Sequence, residues 1–210
     1  MTDGGTGSTD GTSTTGHPPL ADTPQQWPVL ATEDLHRDHW VVALRADRVQ
    51  RPDAPDEPPF RRVVMEHPGA SVILAVDDRE RVLCLWQYRH PAGLRLVELP
   101  AGLLDGDADE APLEVARREL REEAQLQAAS WTHLTSSWSS PGISQEVAHC
   151  YLARDLAPAD RGDFALAHEE ADMVAAWVPF EELHAAVLAG DVADGPTALC
   201  VLLARARGLA

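Results

Sequence analysis

Short runs of β-branched and apolar residues alternate along this chain with only a few helical segments, and this order restricts the fold. The first runs lie at 40–49 and 60–67. ASVILAVDD and RERVLCLWQYRH then predict a hairpin that turns at Asp77 and Asp78, and LRLVELPAG predicts a strand that ends at a proline and glycine loop.

The clearest helix is predicted at 111–124. A proline suits its first turn, and apolar residues recur there at three-to-four spacing, namely Leu113, Ala116, Leu120 and Ala124. Other strands are predicted at 131–137, 147–153 and 173–178, and other helices at 180–188 and 197–207. This mixed order predicts an α+β sandwich instead of a regular βαβ repeat.

The chain has 210 residues, of which 44% are apolar, and this is enough for one principal domain. Residues 1–26 are rich in Gly, Ser, Thr and Pro, and we expect a disordered tail there. The strands within 27–64 predict a small N-terminal β region, which leaves 65–210 as the main domain.

Charge excludes several classes of function. The formal net charge is −17, so we expect neither a nucleic acid nor an anionic membrane surface as a partner. All 17 basic residues are arginine, which excludes Schiff-base chemistry on a lysine and the lysine of a phosphate-binding P-loop. An anionic ligand would have to be attracted by arginines or by bound divalent cations.

The three cysteines are Cys84, Cys150 and Cys200, and each lies in an apolar run without a second cysteine or a histidine at metal-ligand spacing. We expect buried, reduced thiols. The sequence also has no long apolar segment and no signal-peptide pattern at its start, so a cytoplasmic protein is expected.

Three glutamates share one stripe of the predicted helix, namely Glu119, Glu122 and Glu123. One interpretation is a solvated face laced by ion pairs, in which Arg118 bridges Glu114 and Glu122. The other is a metal site, because the glycine-containing acidic loop GLLDGDADE leads directly into the helix and Mg²⁺ prefers oxygen ligands.

The same stretch resembles the Nudix box, with Gly102, then Glu110, then RELREE at 118–123 and an apolar Leu126. The spacing from Glu110 to the box arginine is that of the family. The loop after the glycine is longer than in the standard box. Gln125 also stands where the family has glycine, which predicts a strained left-handed helix end.

Other segments resemble the ADP-ribose pyrophosphatase branch of that family. They are WQYRHP, ELPAG, SPGISQE and HEEADM, and the resemblance spans about 40–205. It implies a Nudix α/β/α sandwich with a mixed sheet, and a homodimer formed through the N-terminal β region. It also implies Mg²⁺-dependent hydrolysis of ADP-ribose to AMP and ribose 5-phosphate, with Mn²⁺ as a possible substitute.

Two alternatives stay open for the activity. The substrate could be another nucleoside diphosphate derivative, such as a sugar nucleotide or a dinucleotide, because the box binds the diphosphate alone. The domain could also be a sensor that binds ADP-ribose without cleaving it, although the box glutamates that such a domain is expected to lose are present.

The resemblance also assigns roles to individual residues. Metal ligands are expected at the carbonyl of Ala101 and at Glu119, Glu122 and Glu123, with Glu122 also counted as catalytic. Arg118 and Glu110 are expected to orient them. The general base is expected at Glu169 or Glu170, unless HEEAD is simply a solvated loop. Substrate contacts are expected from Arg89, Glu98 and Gly142, although Arg89 could also be a strand-end charge that faces water.

The remaining candidates favour ordinary structural roles. His149 and His184 have no partner at metal-ligand spacing, and His67 and His90 precede prolines and are typical of turns. We interpret the tryptophans Trp27, Trp40 and Trp138 as core or interface residues.

Overall fold

The computed structural model describes residues 20–106, 110–162 and 172–210. Most of the predicted tail, 1–19, lies outside these ranges. The described elements are, in order, β1 (Val29–His36), β2 (Ala43–Val49), β3 (Phe60–Glu66), β4 (Ala70–Ala75), β5 (Arg81–Arg89), β6 (Leu94–Glu98), β7 (Ala101–Leu103), α1 (Pro112–Ala124), β8 (Leu126–Trp138), β9 (Val147–Pro158), β10 (Val174–Pro179), α2 (Phe180–Ala189) and α3 (Gly195–Ala206).

The strands form three sheets. The N-terminal sheet has the order β1-β2-β3, and its neighbours are antiparallel. The central sheet has the order β7-β4-β9-β8, and it is mixed because β4 and β9 run parallel. The third sheet has the order β10-β5-β6.

Side chains of β4 alternate between two apolar clusters, as the twofold period of a strand requires. Val72 and Leu74 face a core that includes residues of α2 and α3, whereas Ile73 and Ala75 face α1. Helices therefore cover opposite faces of the mixed sheet. The predicted α+β sandwich with a mixed sheet is confirmed, and so are the three predicted helices, whose bounds differ from the predicted ones by at most two residues.

The hairpin prediction is wrong in one respect. The chain does turn after β4, where the amide of Asp77 donates to the carbonyl of Arg81 at 3.0 Å. Beyond a single bridge between Val76 and Val82, however, the two strands part and join different sheets. Both strands are buried almost throughout, and a simple hairpin with one wet face would expose half of those apolar side chains.

The predicted strand LRLVELPAG is likewise divided into β6 and β7, which belong to different sheets. The division falls at Leu99 and Pro100, because proline has no N–H to continue a ladder. The carbonyl of Pro100 accepts instead from the amide of Ile73 at 2.8 Å. This change of sheet brings β7 beneath α1.

Strand β1 has no distinct sequence signal, because VLATEDLH is half polar and every residue in it is exposed. The three cysteines are buried and free, as predicted. Trp40 and Trp138 are more than half exposed, so a core role is wrong for them. No helix among the described residues could span a bilayer.

Candidate active site

Two of the three stripe glutamates lie on the inner face of α1. Val115, Ala116 and Leu120 hold this face in the core, and their spacing carries Glu119 and Glu123 inward as well, so that each keeps only 8–9% of its surface exposed. The third, Glu122, is half-buried. A fully solvated face is therefore the wrong interpretation for this part of the helix.

Strand β7 lies directly against these carboxylates. The amide of Ala101 donates to Oε2 of Glu123 at 3.1 Å. A Cβ atom placed on Gly102 would lie 2.0 Å from Cδ and 2.1 Å from Oε1 of Glu119, so a glycine is required for the carboxylate to lie there. The glycine that begins the box thus makes room for a box glutamate.

Arg118 lies between three carboxylates. Its guanidinium is 2.7 Å from Glu119, 3.4 Å from Glu122 and 3.6 Å from Glu110. Burial alone would lower the pKa of Arg118, but the charges of these three glutamates outweigh burial and raise it. An arginine in this position can hold several carboxylates in fixed orientations.

The surface ion pair on the helix differs from the predicted one. Glu114 pairs with Arg117 at 2.6 Å, and both side chains are about half exposed. Arg118 is thus left to the buried side of the helix. The sequence could not separate the two arginines, because both are within i,i+3 or i,i+4 reach of Glu114.

The donor set fits a magnesium ion that keeps part of its water shell. In the described ranges, no three His, Cys, Asp or Glu side chains form a ready-made metal cage. Mg²⁺ is commonly bound by one or two carboxylates, with water and substrate phosphates completing the shell. Buried oxygen donors beside a backbone strand, without nitrogen or sulfur among them, suit that ion chemically.

Arg89 and Glu98 form a two-pronged ion pair between β5 and β6. Nε and Nη2 of Arg89 donate to the carboxylate of Glu98 at 2.9 and 2.7 Å. Hydrogen bonding to Glu98 is the main cause that raises the pKa of Arg89, and the charges of Asp194 and Glu123 add to it. Arg89 therefore lies within the field of one box carboxylate, Glu123, and 47% of its side chain is exposed to solvent.

Gly142 lies on a loop that is attached to the N-terminal sheet. The amide of Met65 donates to the carbonyl of Ile143 at 2.7 Å, and the amide of Gln145 donates to the carbonyl of Met65 at 3.0 Å. This loop and strands β2 and β3 together line a groove of about 600 Å³. Its lining includes Arg45, Arg62, Trp138, Gly142 and Ile143 but no described glutamate of α1.

Glu169 and Glu170 lie outside the described residues. Both flanks of their segment are attached to the rest of the domain. Arg161 donates to the carbonyl of Glu123, the next-to-last residue of α1, at 3.0 Å. On the other side, Arg95 of β6 donates to the carbonyl of Asp172 at 3.0 Å and pairs with its carboxylate. Sequence reasoning missed both arginines, because neither belongs to a motif.

Helix α1 ends in a left-handed residue, as predicted from the glutamine that stands where the family has glycine. Gln125 has φ 54° and ψ 40°, which is the left-handed conformation, and its amide donates to the carbonyl of Arg121 at 3.0 Å. The amide of Ala159 also donates to the carbonyl of Gln125 at 2.8 Å. These bonds retain a conformation that a glycine would adopt without strain.

Comparison with known proteins agrees with this geometry. The family profile for the NUDIX domain matches residues 65–198, and the chain belongs to the NUDIX family. ADP-ribose pyrophosphatase of Mycobacterium tuberculosis (strain ATCC 25618 / H37Rv) is 42% identical over 165 residues, which cover 79% of this chain and 76% of that protein.

Other relatives are named for ADP-ribose or for GDP-mannose. ADP-ribose pyrophosphatase of Bacillus subtilis (strain 168) is 35% identical over a region that covers 55% of this chain and 60% of that protein. GDP-mannose pyrophosphatase of Yersinia enterocolitica is 32% identical over 71% of this chain and 80% of its own length. A solved structure titled as an ADP compounds hydrolase has the same fold, with a TM-score of 0.68 at 19% identity over 90% of this chain and 98% of that one.

Proposed function

We propose that this NUDIX enzyme hydrolyses the pyrophosphate bond of ADP-ribose and releases AMP and ribose 5-phosphate. The observation that carries the proposal is the pair of buried carboxylates on α1, of which Glu119 lies against Gly102 and Glu123 accepts from the amide of Ala101. The relative with 42% identity supports ADP-ribose as the substrate, since its name is ADP-ribose pyrophosphatase.

Four groups would hold the metal, namely the carbonyl of Ala101 and the carboxylates of Glu119, Glu122 and Glu123. We propose Mg²⁺, which Mn²⁺ could replace. When bound, the metal would neutralise the diphosphate and lower the pKa of a water molecule. Arg118, with Glu110 beside it, would keep the carboxylates from turning away when no substrate is present.

The substrate would be positioned by groups outside the helix. Arg89 can donate to a phosphate or ribose oxygen, and Glu98 would hold the guanidinium in place, because both of its carboxylate oxygens accept from that arginine. Gly142, on the groove beside the N-terminal sheet, would contact another part of the substrate. Glu169 or Glu170 would supply the general base.

A sugar nucleotide is the second candidate substrate. The relative in Yersinia enterocolitica is named GDP-mannose pyrophosphatase, and a diphosphate is common to both classes of substrate. A dinucleotide would present the same diphosphate. A sensor without activity is disfavoured, because the three box glutamates are present and two of them are buried against β7.

We further propose that the chain forms a homodimer through the N-terminal β region at 27–64. Strand β1 is exposed along its whole length in the single chain, and Val29, Leu30 and Trp40 each leave half or more of their surface in water. The division into 1–26, 27–64 and 65–210 and the cytoplasmic location stay predictions.

The substrate is tested by incubating the protein and Mg²⁺ with ADP-ribose, sugar nucleotides, dinucleotide polyphosphates and oxidised nucleoside triphosphates. We expect the highest kcat/KM with ADP-ribose. Turnover of another class with ADP-ribose untouched would refute the substrate assignment and leave the reaction type standing.

The metal ligands are tested with Glu123→Gln, which keeps the shape of the side chain and removes its charge. We expect a loss of most activity without a change of fold. Glu114→Gln on the exposed side of the same helix is the matched control, and it should stay active. Full activity of the Glu123 variant would show that Glu123 is not a metal ligand and that this face of the helix has only a structural role.

The base is tested by comparing Glu169→Gln with Glu170→Gln. One of the two should show a large decrease in kcat, by about 10²-fold or more. If both variants keep the normal rate, the base lies elsewhere.

A further inference from the structure

An irregularity in β8 brings together side chains that a regular strand would separate. His133 pairs with Tyr151 of β9, but the next pair joins Thr135 to Cys150, so Leu134 is an extra residue in β8. Residues 133 and 136 would face opposite sides of an unbroken strand. The bulge puts both on the α1 side of the sheet and turns Leu134 into the opposite core.

His133, Ser136 and His149 form a connected cluster on that face. The hydroxyl of Ser136 lies 3.0 Å from Nε2 of His133 and 2.8 Å from Nδ1 of His149. A hydroxyl has one proton, so it donates to one imidazole and accepts an N–H from the other. Two ring nitrogens therefore point at the Ser136 hydroxyl that lies between them.

Both rings are accessible from solvent. His133 and Ser136 are exposed and His149 is half-buried, so an ion can reach the cluster from water. Burial, and then the neighbouring His133, lower the pKa of His149. A lowered pKa favours the neutral form of this ring, which coordination requires.

We propose that His133 and His149 form a binding site for a late divalent transition metal, of which zinc is the probe of choice, and that the ion displaces the Ser136 hydroxyl from between the two rings. The nitrogens are at most about 5.8 Å apart, the limit set by their distances to the hydroxyl. Zinc binds imidazole nitrogen at about 2.0–2.1 Å, so a rotation of the exposed His133 ring closes the site around an ion, with water as the remaining ligands.

The cluster is separate from the candidate active site. In the central sheet, His149 pairs with Ser71 of β4, and Ser71 pairs with Gly102 of β7. Two strand spacings, about 10 Å, thus separate the backbone of His149 from the glycine beneath Glu119. The ligands differ too, because imidazole favours zinc, nickel and copper whereas the box offers carboxylates that suit magnesium. An ion here would connect β8, the outer strand of its sheet, to β9.

Titration calorimetry of the chelator-treated full chain with zinc tests the proposal, with excess Mg²⁺ present to occupy the carboxylates and no affinity tag. We expect one equivalent of zinc and a rise in Tm. His133→Gln and His149→Gln should each remove this equivalent, and Ser136→Ala, which removes the hydroxyl that competes for the two ring nitrogens, should bind zinc at least as tightly as the unaltered chain. His39→Gln, an exposed histidine away from the cluster, should bind like the unaltered chain.

Circular dichroism of each variant shows whether it is folded. Zinc binding with unchanged stoichiometry and affinity in both histidine variants would overturn the proposal, and so would the absence of binding by the unaltered chain. Glu123→Gln should keep the zinc equivalent. Loss of zinc in that variant alone would place the ion at the box glutamates and refute a separate site.

Discussion

Replacement of Gly102 by alanine is the sharpest test of the arrangement around α1. The new Cβ would lie 2.0–2.2 Å from Cδ, Oε1 and Cγ of Glu119, and a relaxed contact between carbon atoms needs about 3.5 Å. The backbone of β7 is held by its pairing with β4, so the carboxylate has to move. We expect the carboxylate carbon to shift by at least about 1.5 Å.

The expected effect is large on catalysis and small on stability. Misplacement of a catalytic group by about 1 Å can decrease the rate about 10²-fold, which is about 2.7 kcal/mol of transition-state stabilisation. The displaced atoms are the far end of a flexible side chain, so the fold can accommodate the methyl group. We expect a change in unfolding free energy below about 1 kcal/mol, or about 2–4 °C in Tm.

Steady-state kinetics with ADP-ribose and a thermal unfolding curve together decide the outcome. Gly195→Ala is the matched control, because a Cβ there meets no other atom within 4 Å, and it should keep full activity. A Gly102→Ala protein with normal kcat and normal Tm would show that the position of Glu119 is not important for the reaction.

Four other changes test separate parts of the structure. Gln125→Gly should raise the unfolding free energy by about 0.5–1 kcal/mol, because it relieves the strain of a left-handed backbone. Gly190→Ala, at φ 81° after α2, should lower the unfolding free energy by a similar amount. Thermal unfolding measures both, and a loss of stability in the Gln125→Gly protein would contradict the claim that Gln125 is strained. Arg89→Lys keeps the charge but loses the two-pronged geometry, so kcat/KM should fall about tenfold or more, and an unchanged value would show that Arg89 does not contact the substrate. Hydrogen bonding to Arg45 lowers the pKa of Glu66, so its contribution to stability is complete above the unfolded pKa and is lost as the pH falls through the folded one. Glu66→Gln should therefore flatten the dependence of Tm on pH below about pH 4, and an unchanged acid slope would show that this pair contributes nothing.

The sequence predicts helices better than strand partners. Helix α1 has a proline at its start and an apolar stripe, and both signals lie within the helix itself. Strands β4 and β5 have equally clear signals, but a strand does not specify its partner, and the predicted hairpin opened into two sheets. Whether the two strands pair with each other or join different sheets depends on burial of both faces of each strand, which only the assembled core can provide.

The candidate site likewise combines features that the sequence predicted with features that it could not predict. The box pattern selected Glu119, Glu122 and Glu123 from the sequence, yet it could not show that two of them are buried and one is half-buried. The i,i+4 spacing paired Arg118 with Glu114, yet in the fold Glu114 pairs with Arg117 and Arg118 turns to the box glutamates. Residues without a motif, such as Arg161 beside the end of α1, had no signal at all.

By itself, the sequence determined the order of most elements, the NUDIX box and the chemistry of its carboxylates, because residue type and spacing along one helix are local properties. Tertiary structure decided which carboxylates meet Gly102, which carboxylate holds Arg89, and how a bulge at Leu134 joins two histidines 16 positions apart. Those contacts link strands and helices that are distant in the chain, and their energies depend on burial against partners that no short stretch of sequence contains.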